Sequence, residues 1–258
     1  MIAIIGGSGL YDGMNGLQDA HQKSVETPFG TVACILCRLN GEEVVFLSRH
    51  GDDVKVPPHR IPFKANIRAL KELGVTRILA TSAVGTLLPE IALGDLVLPD
   101  QFIDFTKQTY TFYEGGESGL VHINLTEPFC PVMREKLFDT GRELGMAIHA
   151  IGTYACIEGP QFETLAEARM LRSWGGTLAG MTAVPEAKLA RELEICYQVV
   201  AVPVDNPAQR GGEPSHAQTL KIIGESTDRM ARLFSEIIGR FPKERDCPCS
   251  RALHGATG

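Results

Sequence analysis

Ser48-Arg49-His50-Gly51 sets a guanidinium beside an imidazole directly after the apolar run Val44-Val45-Phe46-Leu47. Arginine offers a planar fork of donors suited to an oxyanion such as phosphate. Histidine adds a donor whose charge responds to that anion. Three further segments carry related chemistry. Gly6-Gly7-Ser8-Gly9-Leu10 follows the first apolar run; its glycines let the backbone approach an anion and Ser8 adds a hydroxyl. Thr81-Ser82-Ala83-Val84-Gly85-Thr86 and Gly180-Met181-Thr182 supply hydroxyls and N–H groups at the ends of other apolar runs. Each segment alone reads as an ordinary turn, and the glycine run lacks both the lysine of a P-loop and the full spacing of a dinucleotide fingerprint. Together they favour an oxyanion site, because ligands of open α/β sheets gather at strand ends.

The elements that position these groups follow from hydrophobic pattern. Apolar, β-branched runs at 2–5, 31–37, 43–48, 77–81, 95–98, 149–156 and 196–204 are bounded by Gly, Asp, Asn or Pro and predict buried strands. A short strand is also expected from Thr177 to Ala179. Helical periodicity covers 62–73, 129–144, 163–174, 184–193 and 215–240, the last with Ser215 as its N-cap. Alternating strands and helices predict one α/β domain with a mixed sheet over 1–241. Residues 242–258 contain Pro, Cys and Gly without periodicity and are expected to form a loose tail.

Bulk properties narrow the partners. A formal net charge of -6 argues against a broad grip on nucleic acid. No apolar run reaches the roughly 18–20 residues of a membrane span, and the N-terminus lacks the basic start of a secretory signal. A cytoplasmic, reducing location is the expectation, in keeping with thiols at Cys34, Cys37, Cys156 and Cys196 in or beside apolar runs. Cys247-Pro248-Cys249 is either a redox or metal pair or two thiols on the tail. The latter is favoured, since two ligands are too few for tetrahedral zinc.

The ordered motifs resemble those of the trimeric purine nucleoside phosphorylases, a family that includes the methylthioadenosine phosphorylases. The similarity runs from about residue 1 to 240. Beyond the segments already named, it includes Thr27-Pro28-Phe29-Gly30, Glu127-Pro128-Phe129-Cys130-Pro131 and Glu158-Gly159-Pro160-Gln161-Phe162-Glu163-Thr164. It extends through Val184-Pro185-Glu186, Ala190-Arg191-Glu192 and Ile195-Cys196-Tyr197. The resemblance implies a twisted, partly barrel-like mixed sheet flanked by helices. It implies a phosphate site of Ser8, Arg49, His50, Ser82, Ala83 and Thr182. Met181 would lie under the ribose, Phe162 on the purine or sugar, and His122 would reach a neighbouring subunit's ligand. Asp205 and Asn206 would grip purine N7. The implied assembly is a homotrimer, with hexamers within the family's range. Nucleoside and phosphate are the substrates, and no metal or organic cofactor is implied.

Three positions bear on the nucleoside. In the family, Glu at position 163 accepts from the protonated N1 of hypoxanthine or guanine, where methylthioadenosine enzymes carry a small Ser. His216 resembles the histidine that phosphorylases of ordinary nucleosides set against the 5′-hydroxyl. Asp205 points the other way, since adenine users resemble one another in Asp there. The balance favours inosine and guanosine with adenosine as a further substrate, and methylthioadenosine or methylthioinosine as the alternative. A non-catalytic purine-binding protein and a hydrolase are the readings from other classes.

Overall fold

Every residue of β1 (Ile2–Gly6) is buried, and its side chains divide between two cores by the strand's twofold alternation. Ala3 and Ile5 join Val45, Leu47, Ile78 and Ala80; Ile2 and Ile4 join Val44, Phe46 and Leu79. A strand covered on both faces needs the unbroken apolar run found there. The computed structural model describes residues 1–6, 8–51, 55–116, 119–207 and 216–256, with side chains omitted at positions 8, 9 and 216–220.

Around β1 the sheet is mixed. β2 (Gln18–Thr27), β3 (Gly30–Leu39) and β4 (Glu42–Ser48) form an antiparallel meander, and β4 and β5 (Arg77–Thr86) flank β1 in parallel. β5 is the branch point. β10 (Leu178–Gly180) pairs antiparallel with its last residues, whereas β11 (Cys196–Asp205) follows most of its length in parallel. β7 (Gln101–Asp104) and β9 (Thr153–Cys156) extend the branch through β10. β6 (Leu96–Val97) and β8 (Ile148–His149) extend the one through β11.

Helices close both faces. α2 (Phe63–Glu72) and α5 (Ala183–Glu192) bring Ile67, Leu70, Ala187 and Leu189 to the first core. α3 (Pro131–Glu143) and α6 (His216–Ile238) bring Met133, Leu137, Leu233 and Phe234 to the second. α4 (Leu165–Ser173) buries Ala168 and Leu171 against Ala155 and Ala179. α1 (Ser8–Asp12) is a single short helix after β1. This is the mixed α/β architecture expected. Among the described residues no helix is long and apolar enough to cross a membrane.

The strand expected at 149–156 is two short strands, β8 and β9, on different branches of the sheet. Two further departures have physical causes. β2 carries Gln, Asp, His and Lys and buries only Val25, so it has no apolar alternation to betray it. The C-terminal segment is not a loose tail. Arg77 donates to the carbonyls of Pro242 and Glu244, Arg245 Nη1 donates to Glu194 O at 2.6 Å, and His122 N donates to Ala256 O at 2.8 Å. Cys247 and Cys249 are buried, at 4% and 1% exposure, and lie with Cys130 and Cys196, so they are not an isolated pair. Docking by scattered long-range contacts leaves no periodic signature in a sequence.

Candidate active site

β1, β4, β5 and β11 run parallel, so the chain leaves them toward one edge of the sheet. Arg49 follows β4, and its backbone N–H donates to Gly6 O at the end of β1, 3.1 Å away. Its side chain is 4% exposed and turns under the sheet edge. Nε and Nη2 donate to the two Glu186 oxygens at 2.5 and 3.0 Å, and Nη1 donates to Thr81 O at 2.9 Å. Glu186, in the first turn of α5 and 1% exposed, also accepts from Tyr197 Oη at 2.7 Å. Burial opposes the Arg49 charge, but Glu186 more than restores it through charge and hydrogen bonding, so the guanidinium pKa lies above its ordinary value. Arginine has five N–H groups. Among the described residues three are held, by Glu186 and Thr81, which fixes the fork and leaves two N–H directed to no other described residue.

His50 is oriented by its own loop. Its Nδ1 lies 2.7 Å from Val56 O, and a carbonyl can only accept, so Nδ1 carries the hydrogen. In the neutral ring Nε2 is then the acceptor. Burial, above all, lowers the His50 pKa; the Val56 hydrogen bond works against this and the Arg49 charge adds to it. A neutral ring next to an incoming anion should therefore gain a proton as the anion binds. Titration calorimetry of phosphate in buffers of different ionisation enthalpy is expected to show proton uptake that His50→Asn reduces. Equal uptake in both proteins would place His50 away from the anion.

Hydroxyls supply a second side. Ser82 Oγ lies 3.0 Å from Tyr154 Oη and 3.5 Å from Thr182 Oγ1. Thr182 is the N-cap residue of α5, yet its side chain makes no capping hydrogen bond to that helix. Its hydroxyl faces Ser82, and the positive end of the helix dipole lies behind it. Ala83 is the one exposed residue of β5, consistent with a backbone open to a ligand. Tyr154 is fully buried and reaches this cluster only because residue 180 is glycine: a Cβ there would lie 2.0 Å from Tyr154 Oη and 3.0 Å from Val84 Cγ1. Gly180→Ala is expected to lower stability by about 1–3 kcal/mol through overpacking, read as a lower denaturant midpoint. An unchanged midpoint would mean that Tyr154 swings aside without cost.

The expected purine side gathers at the fork. Asp205 ends β11 opposite Gly85, across a register shift after Pro203. A Cβ built on Gly85 would lie 3.4 Å from Glu163 Oε1 and 2.9 Å from Pro207 Cδ, so Glu163 and the Asp205-Asn206 segment approach the same point on β5. Glu163 is not in the first turn of α4. Thr164 is the N-cap, and it closes a capping box with Glu167 through bonds of 2.7 and 3.2 Å. Glu163 stands one residue outside the helix and is 8% exposed. Phe162 is 74% exposed, so it does not fill the core; it lines a cavity of about 390 Å³ with Glu163, Phe105 and Met170. Met181 packs against Gly159, where a Cβ would lie 2.5 Å from its sulfur. His122 is exposed. The side chains of Ser8 and His216 lie outside the described residues.

Sequence reasoning did not assign Glu186, Tyr154 or Thr81. Glu186 had a signal: one acidic residue in the apolar stretch Ala183-Val184-Pro185 to Ala187, where a buried charge needs a partner. Tyr154 had none, since an aromatic in a strand reads as core.

The phosphorylase superfamily model matches residues 1–239. A Thermococcus kodakarensis protein named probable 6-oxopurine nucleoside phosphorylase is 49% identical, over 100% of this chain and 98% of that one. An S-methyl-5′-thioadenosine phosphorylase of Thermofilum pendens is 41% identical, over 99% and 97%. The solved structure of a methylthioadenosine phosphorylase from an antarctic soil metagenomic library matches with a TM-score of 0.90 at 38% identity, covering 100% of this chain and 92% of that one. Fold, strand-end chemistry and these matches agree: the chain belongs to the phosphorylase superfamily.

Proposed function

We propose that this protein is a purine nucleoside phosphorylase, a pentosyltransferase that converts inosine or guanosine and phosphate into free base and ribose 1-phosphate. The observation that carries this reading is the joining of a fixed Arg49 and the Ser82–Thr182 hydroxyls to a fork where buried Glu163 nears Asp205. Phosphate held by Arg49, His50, Ser82, Thr182, the Ala83 backbone and Ser8 sits beneath C1′. As the C1′–N9 bond breaks, the ribose gains positive charge and the purine takes the electron pair. Phosphate stabilises the cationic carbon and then forms the new C1′–O bond, so positioning and electrostatics do most of the work. Asp205 donates a proton or a hydrogen bond to N7, with Asn206 beside it. Met181 supports the ribose, Phe162 packs on the nucleoside, and Glu163 accepts from N1–H. His216 faces the 5′-hydroxyl. The active unit is a homotrimer in which His122 crosses to a neighbouring site.

Support for the purine class comes from relatives named for 6-oxopurine nucleosides. Asp205 and the relatives named for methylthioadenosine favour methylthioadenosine as the second substrate to test. The experiment is base release from inosine, guanosine, adenosine and methylthioadenosine with and without phosphate. Phosphate-dependent release of hypoxanthine with ribose 1-phosphate is expected. Release that ignores phosphate would make the protein a hydrolase, and no release from any nucleoside would make it a binding protein.

A further inference from the structure

Four of the seven cysteines meet at one point. The sulfurs of Cys130, Cys196, Cys247 and Cys249 all lie within 4.8 Å of one another, and all four residues are buried. Cys196 Sγ and Cys247 Sγ are 3.4 Å apart, and no cysteine is bonded to another. Zinc–sulfur bonds of about 2.3 Å in a tetrahedron place the sulfurs about 3.8 Å apart, within the spacing seen. A disulfide would need about 2.05 Å.

Three separate segments build the cluster. Cys130 is the N-cap residue of α3, and its side chain makes no capping bond to the helix. Cys196 opens β11, and the Cys130 N–H donates to Tyr197 O at 2.9 Å, tying these two segments together. Cys247 precedes the short 3₁₀ turn Pro248–Arg251, which contains Cys249. Proline at 248 fixes the backbone between the last two sulfurs.

We propose that Cys130, Cys196, Cys247 and Cys249 bind one zinc ion in a closed, structural site distinct from the phosphate and nucleoside groups. Four soft thiolates in tetrahedral array select zinc over hard cations. Binding replaces four thiol protons with one Zn²⁺ and involves no change of oxidation state. With four protein ligands no coordination position is left for substrate. The ion staples the C-terminal segment to α3 and β11. Through the Ala256 carbonyl that accepts from His122 N, it also steadies the loop carrying that histidine.

The test uses the full-length protein purified under reducing conditions without chelators. Elemental analysis is expected to find about one zinc per chain. Cobalt titration of metal-stripped protein should give the intense visible absorption of a tetrahedral tetrathiolate site. Cys247→Ser/Cys249→Ser should lose both signals and unfold several degrees earlier, while retaining base release at 25 °C. Should that variant fail to fold, the cobalt spectrum of the unmutated chain still decides. An intact mass about four hydrogens below the all-thiol chain would show two disulfides and overturn the proposal. Reduced protein that takes up neither zinc nor cobalt would overturn it as well.

Discussion

Arg49→Ala is expected to reduce kcat/KM for phosphate about 10²–10³-fold, the scale of losing one preorganised donor to developing charge, with most of the change in phosphate KM. The same substitution should lower stability by about 3–5 kcal/mol, because it strands the Glu186 carboxylate, 1% exposed, without its partner. The two losses have different origins and can be separated. Arg49→Ala combined with Glu186→Gln removes the stranded charge and leaves an amide that Tyr197 can still approach. Stability should largely return while phosphate use stays poor. If the double variant regains phosphate affinity as well as stability, Arg49 serves only to neutralise Glu186, and the anion site must be rebuilt around Ser82 and Thr182.

How much of this was visible in the sequence depends on the kind of signal. Strands buried on both faces, β1 and β11 among them, announce themselves because unbroken apolar runs have few alternatives. The exposed β2 and the short α1 do not, since they bury too little to impose a pattern. At the site, the chemistry-bearing ends of β4, β5 and β10 were readable one by one. Their convergence depends on strand order, with β1 between β4 and β5 and with β10 and β11 both on β5, which no local pattern encodes. Cys247 and Cys249 show the limit most plainly. Read as a pair they offered too few ligands, and the other two thiols lie 51 and 117 residues before Cys247 in the chain. The start of α4 shows a finer limit: helical periodicity was expected from 163, but Thr164 and Glu167 close the helix end and leave Glu163 outside it.

Glu163→Ser is expected to cost about 1.5–3 kcal/mol in the transition state for inosine, the range for a hydrogen bond to a charged group, or roughly ten- to a hundredfold in kcat/KM. Adenine nucleosides should change far less or improve. A carboxylate at 8% exposure beside Gly85 is an acceptor that favours a base offering it a hydrogen. Hypoxanthine and guanine carry one at N1. Adenine N1 bears a lone pair, and facing it the carboxylate would be repelled unless it took up a proton. Serine can donate or accept, so the variant site no longer discriminates by the N1 proton. The contrast between inosine and adenosine in the same variant is the readout, because a general loss of stability or phosphate binding would lower both together. Parallel losses for the two nucleosides would remove Glu163 from base recognition. Asp205, at the end of β11, would then be the side chain that sets the choice of purine.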